Sequence, residues 1–173
     1  MNKNQSKAIP MHAGARSTQD LLAWVRLSIA DAIVLFGRLE HELIEIAWLI
    51  KGADLKERVK IARNSATYNF LNVIAIVEEA AGARFDALRE TFVNLANDRN
   101  LMVHGAWLMV DGRPWVVWHK FLVDTESVIG EFFDKPRFEA FMKKADILLD
   151  TSRKFHSELE ASSGVRTSVP RGN

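Results

Sequence analysis

The chain has no cysteine. That excludes disulfides, thiolate nucleophiles and cysteine-ligated zinc together. It has no apolar run approaching the ~18 residues a membrane span needs. The longest candidate is 70–77, and it contains Asn72. No charge of one sign is in excess: 23 Lys and Arg stand against 22 Asp and Glu, a net charge of +1. A broad basic surface for gripping long nucleic acid is therefore not expected, although a local phosphate site is compatible with this balance. There is no glycine loop to cradle phosphates and no serine-centred nucleophile elbow. The five histidines show neither close pairing nor a metal-type carboxylate–histidine spacing, so no metal and no cofactor is expected. Residues 1–16 lack the apolar segment of a secretory signal, and a cytoplasmic location is expected.

Apolar residues make up 48% of the 173, enough to build a core. One domain over 17–161 is expected, with polar tails at 1–16 and 162–173. A first helix begins near Ser17, where Asp20 completes a weak capping box. Its apolar positions are Leu22, Val25, Ile29, Ala32, Phe36, Leu39, Leu43, Ile46 and Ile50, in alternating steps of 3 and 4. That is a seam for packing on other helices. Lys51-Gly52 ends it, and the mid-helix Gly37 is compatible with a close helix crossing.

Asp54 with Glu57 reads as a cap for the next helix, carrying Leu55, Val59 and Ala62. Phe70, Val73, Ile74 and Val77 continue to Ala81-Gly82, and 54–81 reads as one helix broken at Asn64 to Thr67 or as two short ones. A third helical segment covers 85–104. Then the rhythm changes. Aromatic and β-branched residues from Trp107 to Phe121, split by Asp111-Gly112, signal a hairpin. Pro114 points to an edge position or a longer loop. Residues 122–134 read as a connection, and Asp134 with Pro136 opens a last helix along Phe138, Phe141, Ala145, Leu148, Ser152, Phe155 and Leu159. The expected fold is all-α, an antiparallel four- or five-helix bundle with a small β-hairpin inserted before the last helix. Several seams on a small chain leave apolar surface over, and homodimerisation would use it.

One segment breaks the pattern. The apolar positions Phe85, Leu88, Phe92, Leu95 and Met102 leave a gap at 99, and the chain puts Arg99 there. A guanidinium in an apolar seam is costly unless paired or bound. His104, suited to proton transfer near neutral pH, follows five residues later. Gly105 after it suits a left-handed helix cap. Arg99 reads as an anion clamp, or as an arginine whose stem covers the core while its head reaches water. His104 reads as a general acid or base, or as a cap on the last carbonyls. Five residues of ideal helix turn through about 500°, leaving the two side chains roughly 140° apart. They meet only if the chain turns before His104 or if a second copy supplies the partner. Asn100 is a further hydrogen-bond donor beside them. His41 and Glu42 on the first helix are candidates for supporting contacts to the motif. Trp107, Trp115 and Trp118 are candidates for base stacking or for packing the hairpin. His12 and His156 are read as surface.

Arg99-Asn100, a short gap, then His104-Gly105-Ala106-Trp107 at the end of a bundle helix resembles the HEPN superfamily, whose signature is an arginine, four to six residues, then a histidine. Arg113 and His119 also fit the bare spacing, on the hairpin. The resemblance implies a metal-independent endoribonuclease of toxin, defence or RNA-processing type, with two copies of the motif at a homodimer cleft. It implies RNA as substrate and an antitoxin or regulatory protein as partner. It implies that Arg99 holds the scissile phosphate, that His104 moves the proton of the 2′-hydroxyl or leaving group, that Asn100 positions one of them, and that the product is a 2′,3′-cyclic phosphate. Two alternatives stand beside it. One is a non-catalytic HEPN-like interaction module in which Arg99 and His104 are structural. The other is a nucleotide or small-ligand sensor.

Overall fold

A computed structural model describes the backbone of residues 21–122 and 125–163 and their side chains except at 119–129 and 163. The expected tails, the helix start at Ser17, His12 and the side chain of His119 lie outside these residues. Among the described residues five helices and three strands follow in order: α1 (Ala23–Lys51), α2 (Leu55–Ala62), α3 (Ala66–Ala81), α4 (Asp86–His104), β1 (Ala106–Val110), β2 (Arg113–Leu122), β3 (Thr125–Phe132) and α5 (Lys135–Ser163). None of the described helices is long and apolar enough to cross a membrane.

The helix boundaries follow local chemistry. Gly52, left-handed, ends α1 and returns its N–H to the Leu49 and Trp48 carbonyls. The Asp54 carboxylate accepts the Glu57 N–H and opens α2. Ser65 does the same for Tyr68 and opens α3, so the interruption expected at 64–67 is a fresh start. Asp134 accepts from the Arg137 N–H at the head of α5.

The α1 seam buries Val25, Ala32, Phe36, Leu39, Leu43 and Ile46, while Leu22 at its start is exposed. Phe36 contacts both Phe92 of α4 and Phe141 of α5, and Phe92 stacks on Phe70 of α3 with ring centres 4.0 Å apart. This aromatic cluster ties four helices into one core. In α2 the expected contacts fail: Leu55 and Val59 are exposed, and Ile61 is the residue that packs. Eight residues make barely two turns, too few for periodicity to define a face. Among the described residues no atom lies within 4 Å of the Cβ that Gly37 lacks, so no described helix crosses there.

Two expectations are corrected by the topology. The hairpin is a three-stranded antiparallel sheet in the order β1-β2-β3, and β3 occupies residues read as a connection. Asp111 and Gly112, both at positive φ, make the two-residue turn between Val110 and Arg113. Pro114 therefore lies in the central strand, as its second residue opposite Met109, and its carbonyl accepts from the Phe133 N–H. Second, α1 and α5 run in the same direction. Trp24 meets Phe138 and Glu42 meets His156, an offset of 114 in each case. The antiparallel expectation does not hold for this pair, because the chain returns through the sheet rather than by a short loop.

Candidate functional site

Arg99 sits in the middle of the core-facing row of α4. On an ideal helix Phe92, Leu95, Ala96 and Met102 all fall within about 60° of its direction, and all four are buried. Arg99 itself is half-buried. Its Nη1 donates to Oδ1 of Asn100 at 3.2 Å, and its guanidinium carbon stands 6.0 Å from the centre of the Phe36 ring. Among the described residues no carboxylate lies within ion-pair distance of it. Arg99 thus keeps donors free at the level of Phe36, held by a ring face and one amide oxygen.

α4 continues without a break through His104. Of the two ways for Arg99 and His104 to meet, a turn before His104 is therefore removed, and within one chain they point about 140° apart. His104 is exposed at the helix C-terminus. Asn97, one helical heptad before it, shares its face of α4, about 10.5 Å away along the axis.

Gly105 has a different role from the one expected. Its φ of −77° and ψ of 147° are extended, not left-handed. Glycine is required by crowding: a Cβ there would lie 2.2 Å from Cγ2 of Val116 and 2.4 Å from the Leu101 carbonyl oxygen. Its N–H still closes the helix on that carbonyl at 2.9 Å. The end of α4, and His104 with it, is thereby pressed onto β2.

The other candidates divide. Trp107 is buried, donates Nε1–H to the Met102 carbonyl at 3.2 Å and stacks on Phe138, which makes it a core residue. Its position on the face that β1 turns to the helices explains this, as it pairs with fully buried Val116. Trp115 meets Phe132 edge-on and packs within the sheet. His41 is exposed and faces Glu45 on its own helix at 3.5 Å. Glu42 turns to α5, where His156 Nδ1 stands 2.5 Å from its Oε1. These two residues of α1 engage α5 and α1 rather than the motif. His156, read as surface, is buried.

A groove of about 510 Å³ opens between α4, the sheet and α5. Asn94, Asn97 and Asp98 line it from α4, Trp118 and Glu131 from the sheet, Arg137 and Lys144 from α5, over a floor of Leu95, Leu101 and Phe141. Arg137 organises it. Its guanidinium holds Asp98 at 2.6 Å and Glu131 at 2.5 Å and lies 4.3 Å from the Phe133 ring centre. Burial works against its charge, but the hydrogen bonds to Asp98 and Glu131 prevail and push its pKa up. Glu131 aligns with Val116 across β2 and β3, which places its side chain on the helix-facing side and explains why it needs this cation. Sequence reading missed this constellation because Asp98, Glu131 and Arg137 look like surface charges until the chain is folded.

No family model, curated protein or solved structure matches this chain. Its chemistry must be argued from its own geometry. That geometry offers an arginine with no carboxylate partner among the described residues, an exposed histidine at a pinned helix end, and a polar groove of ligand size whose Asn97 shares the histidine's face of α4.

Proposed function

We propose that the chain is a HEPN-like endoribonuclease that works as a homodimer without a catalytic metal, in the manner of toxin, defence or RNA-processing enzymes. The observation that carries this reading is Arg99: a cation in the apolar row of a core helix, with no carboxylate among the described residues to neutralise it. A structural arginine in such a place would normally be paired. A phosphate would complete it.

The reaction follows from the two groups and water. His104 as imidazole takes the proton of a ribose 2′-hydroxyl, and the freed oxygen attacks the adjacent phosphorus. The P–O5′ bond breaks, the 5′-oxygen leaves with a proton from solvent water, and a 2′,3′-cyclic phosphate remains. Arg99 neutralises the charge that grows on the non-bridging oxygens, and Asn100, bonded to Arg99, sets the guanidinium's direction. Because α4 is continuous, Arg99 of one copy acts with His104 of the other.

The test is incubation of the purified protein with mixed RNA in excess EDTA, beside His104→Ala and Arg99→Ala. Cleavage by the parent to cyclic-phosphate ends, lost in both folded variants, supports the reading. An intact RNA pool rejects it. A second reading, a non-catalytic HEPN-like nucleotide-binding or interaction module, is favoured by the groove, whose volume suits a small ligand and whose Trp118, Asn94, Asn97 and Lys144 offer a ring, amides and a cation. Saturable nucleotide binding without cleavage would select it.

A further inference from the structure

The α1–α5 contact brings together ligand-type side chains that no local sequence spacing announces. Glu42 and Glu45 project from adjacent turns of α1 toward His156 of α5, and one donor atom from each lies within 4.8 Å of the other two. His156 Nδ1 is 2.5 Å from Glu42 Oε1 and 3.9 Å from Glu45 Oε2. Glu160, one turn on, approaches Nε2 of the same ring at 3.8 Å, and Arg153 Nε stands 3.9 Å from Glu42 Oε2. His41 faces the other oxygen of Glu45 at 3.5 Å. The imidazole is buried, with 6% of the residue exposed.

We propose that Glu42, Glu45 and His156 form a binding site for one divalent transition-metal ion, with zinc the best match, clamping α1 to α5. Two carboxylate oxygens and one imidazole nitrogen are a donor set for such an ion. Zinc bonds of about 2.0–2.2 Å in tetrahedral geometry set donors roughly 3.4 Å apart, and the two distances from Nδ1 bracket that value. Glu45, whose side chain is about one-third exposed, is free to swing the small distance required. The ion would displace the proton of the Nδ1–Oε1 hydrogen bond, and that proton would leave to buffer. Arg153 and Glu160 would remain around the liganding groups, and one coordination position would be left to water. The site uses none of the residues assigned to RNA cleavage.

The test is calorimetric titration of EDTA-stripped, dialysed full-length protein with zinc chloride, and separately with magnesium chloride, followed by thermal melts with and without zinc. One equivalent of zinc is expected, with a heat that depends on the buffer's ionisation enthalpy, no comparable magnesium binding, and a raised melting temperature. Glu45→Gln and His156→Ala should weaken zinc at least tenfold and abolish the thermal shift, while His104→Ala retains both. If His156→Ala does not fold, Glu45→Gln decides, because Glu45 is partly exposed. No saturable zinc binding by the parent, or undiminished binding by folded Glu45→Gln, overturns the proposal. Loss of RNA cleavage has no bearing on it, and the EDTA assay above is independent of zinc.

Discussion

Gly105 and Val116 are in such close approach that the smallest side chain at 105 would overlap the valine's Cγ2. Gly105→Ala should therefore destabilise the fold by roughly 1–3 kcal/mol, the usual cost of overpacking, read as a lower urea midpoint. Adding Val116→Ala should recover only part of the loss, because the Leu101 carbonyl, 2.4 Å from the new Cβ, is backbone and does not yield.

Arg137 is the shared partner of Asp98 and Glu131. Arg137→Met should cost roughly 1–3 kcal/mol, less than a fully buried pair because all three groups keep some water contact. It leaves two carboxylates without their cation. Combining it with Asp98→Asn should return part of the stability, and a double-mutant cycle in denaturant measures the coupling.

Stability should depend on pH through Glu78. Its carboxylate accepts from the Arg89 guanidinium and from the Phe85 N–H, which hold its pKa down at about 2 against an ordinary 4.5. The folded state thus binds this proton less readily than the unfolded chain. The stabilisation is fully present above pH 4.5 and drains away as pH falls from 4.5 toward 2. Glu78→Gln should lower the urea midpoint at pH 7 and narrow its gap to the parent through that window. Parallel midpoint curves would refute the assignment.

If the cleavage site is shared between copies, two inactive variants should rescue each other. Mixing Arg99→Ala with His104→Ala and re-equilibrating subunits makes half the dimers mixed, and each mixed dimer has one intact Arg99–His104 pair. About a quarter of parental activity should return. Zero recovery, with mixed dimers demonstrated, would place both groups of one site in the same chain.

Much of the fold can be read from the linear pattern, for physical reasons that also explain the failures. The α1 seam is long enough for its 3-and-4 rhythm to define a face, and Phe36, Leu39 and Ile46 are nearly inaccessible. Asp111-Gly112 announces its turn because few residues tolerate two successive positive φ angles. β3 escapes notice because Glu126, Gly130 and Glu131 dilute its β-branched residues, and Glu131, which the register turns toward the helices, is tolerated there because Arg137 pairs with it. Arg99 stands out as a charge in an apolar row. His156 does not, since its partner is 114 residues away. A pattern within one helix shows periodicity, whereas a partner on another helix appears only when topology supplies it.

The shared direction of α1 and α5 separates the head of α1 from the tail of α5. Each helix has 29 residues and spans about 43 Å, so the head of α1 and the tail of α5 lie at opposite poles of the bundle. A circular permutant that joined Ser163 directly to Ala23 would need a linker of about 13 extended residues. A fluorophore pair at the head of α1 and the tail of α5 would start near the middle of a useful energy-transfer range.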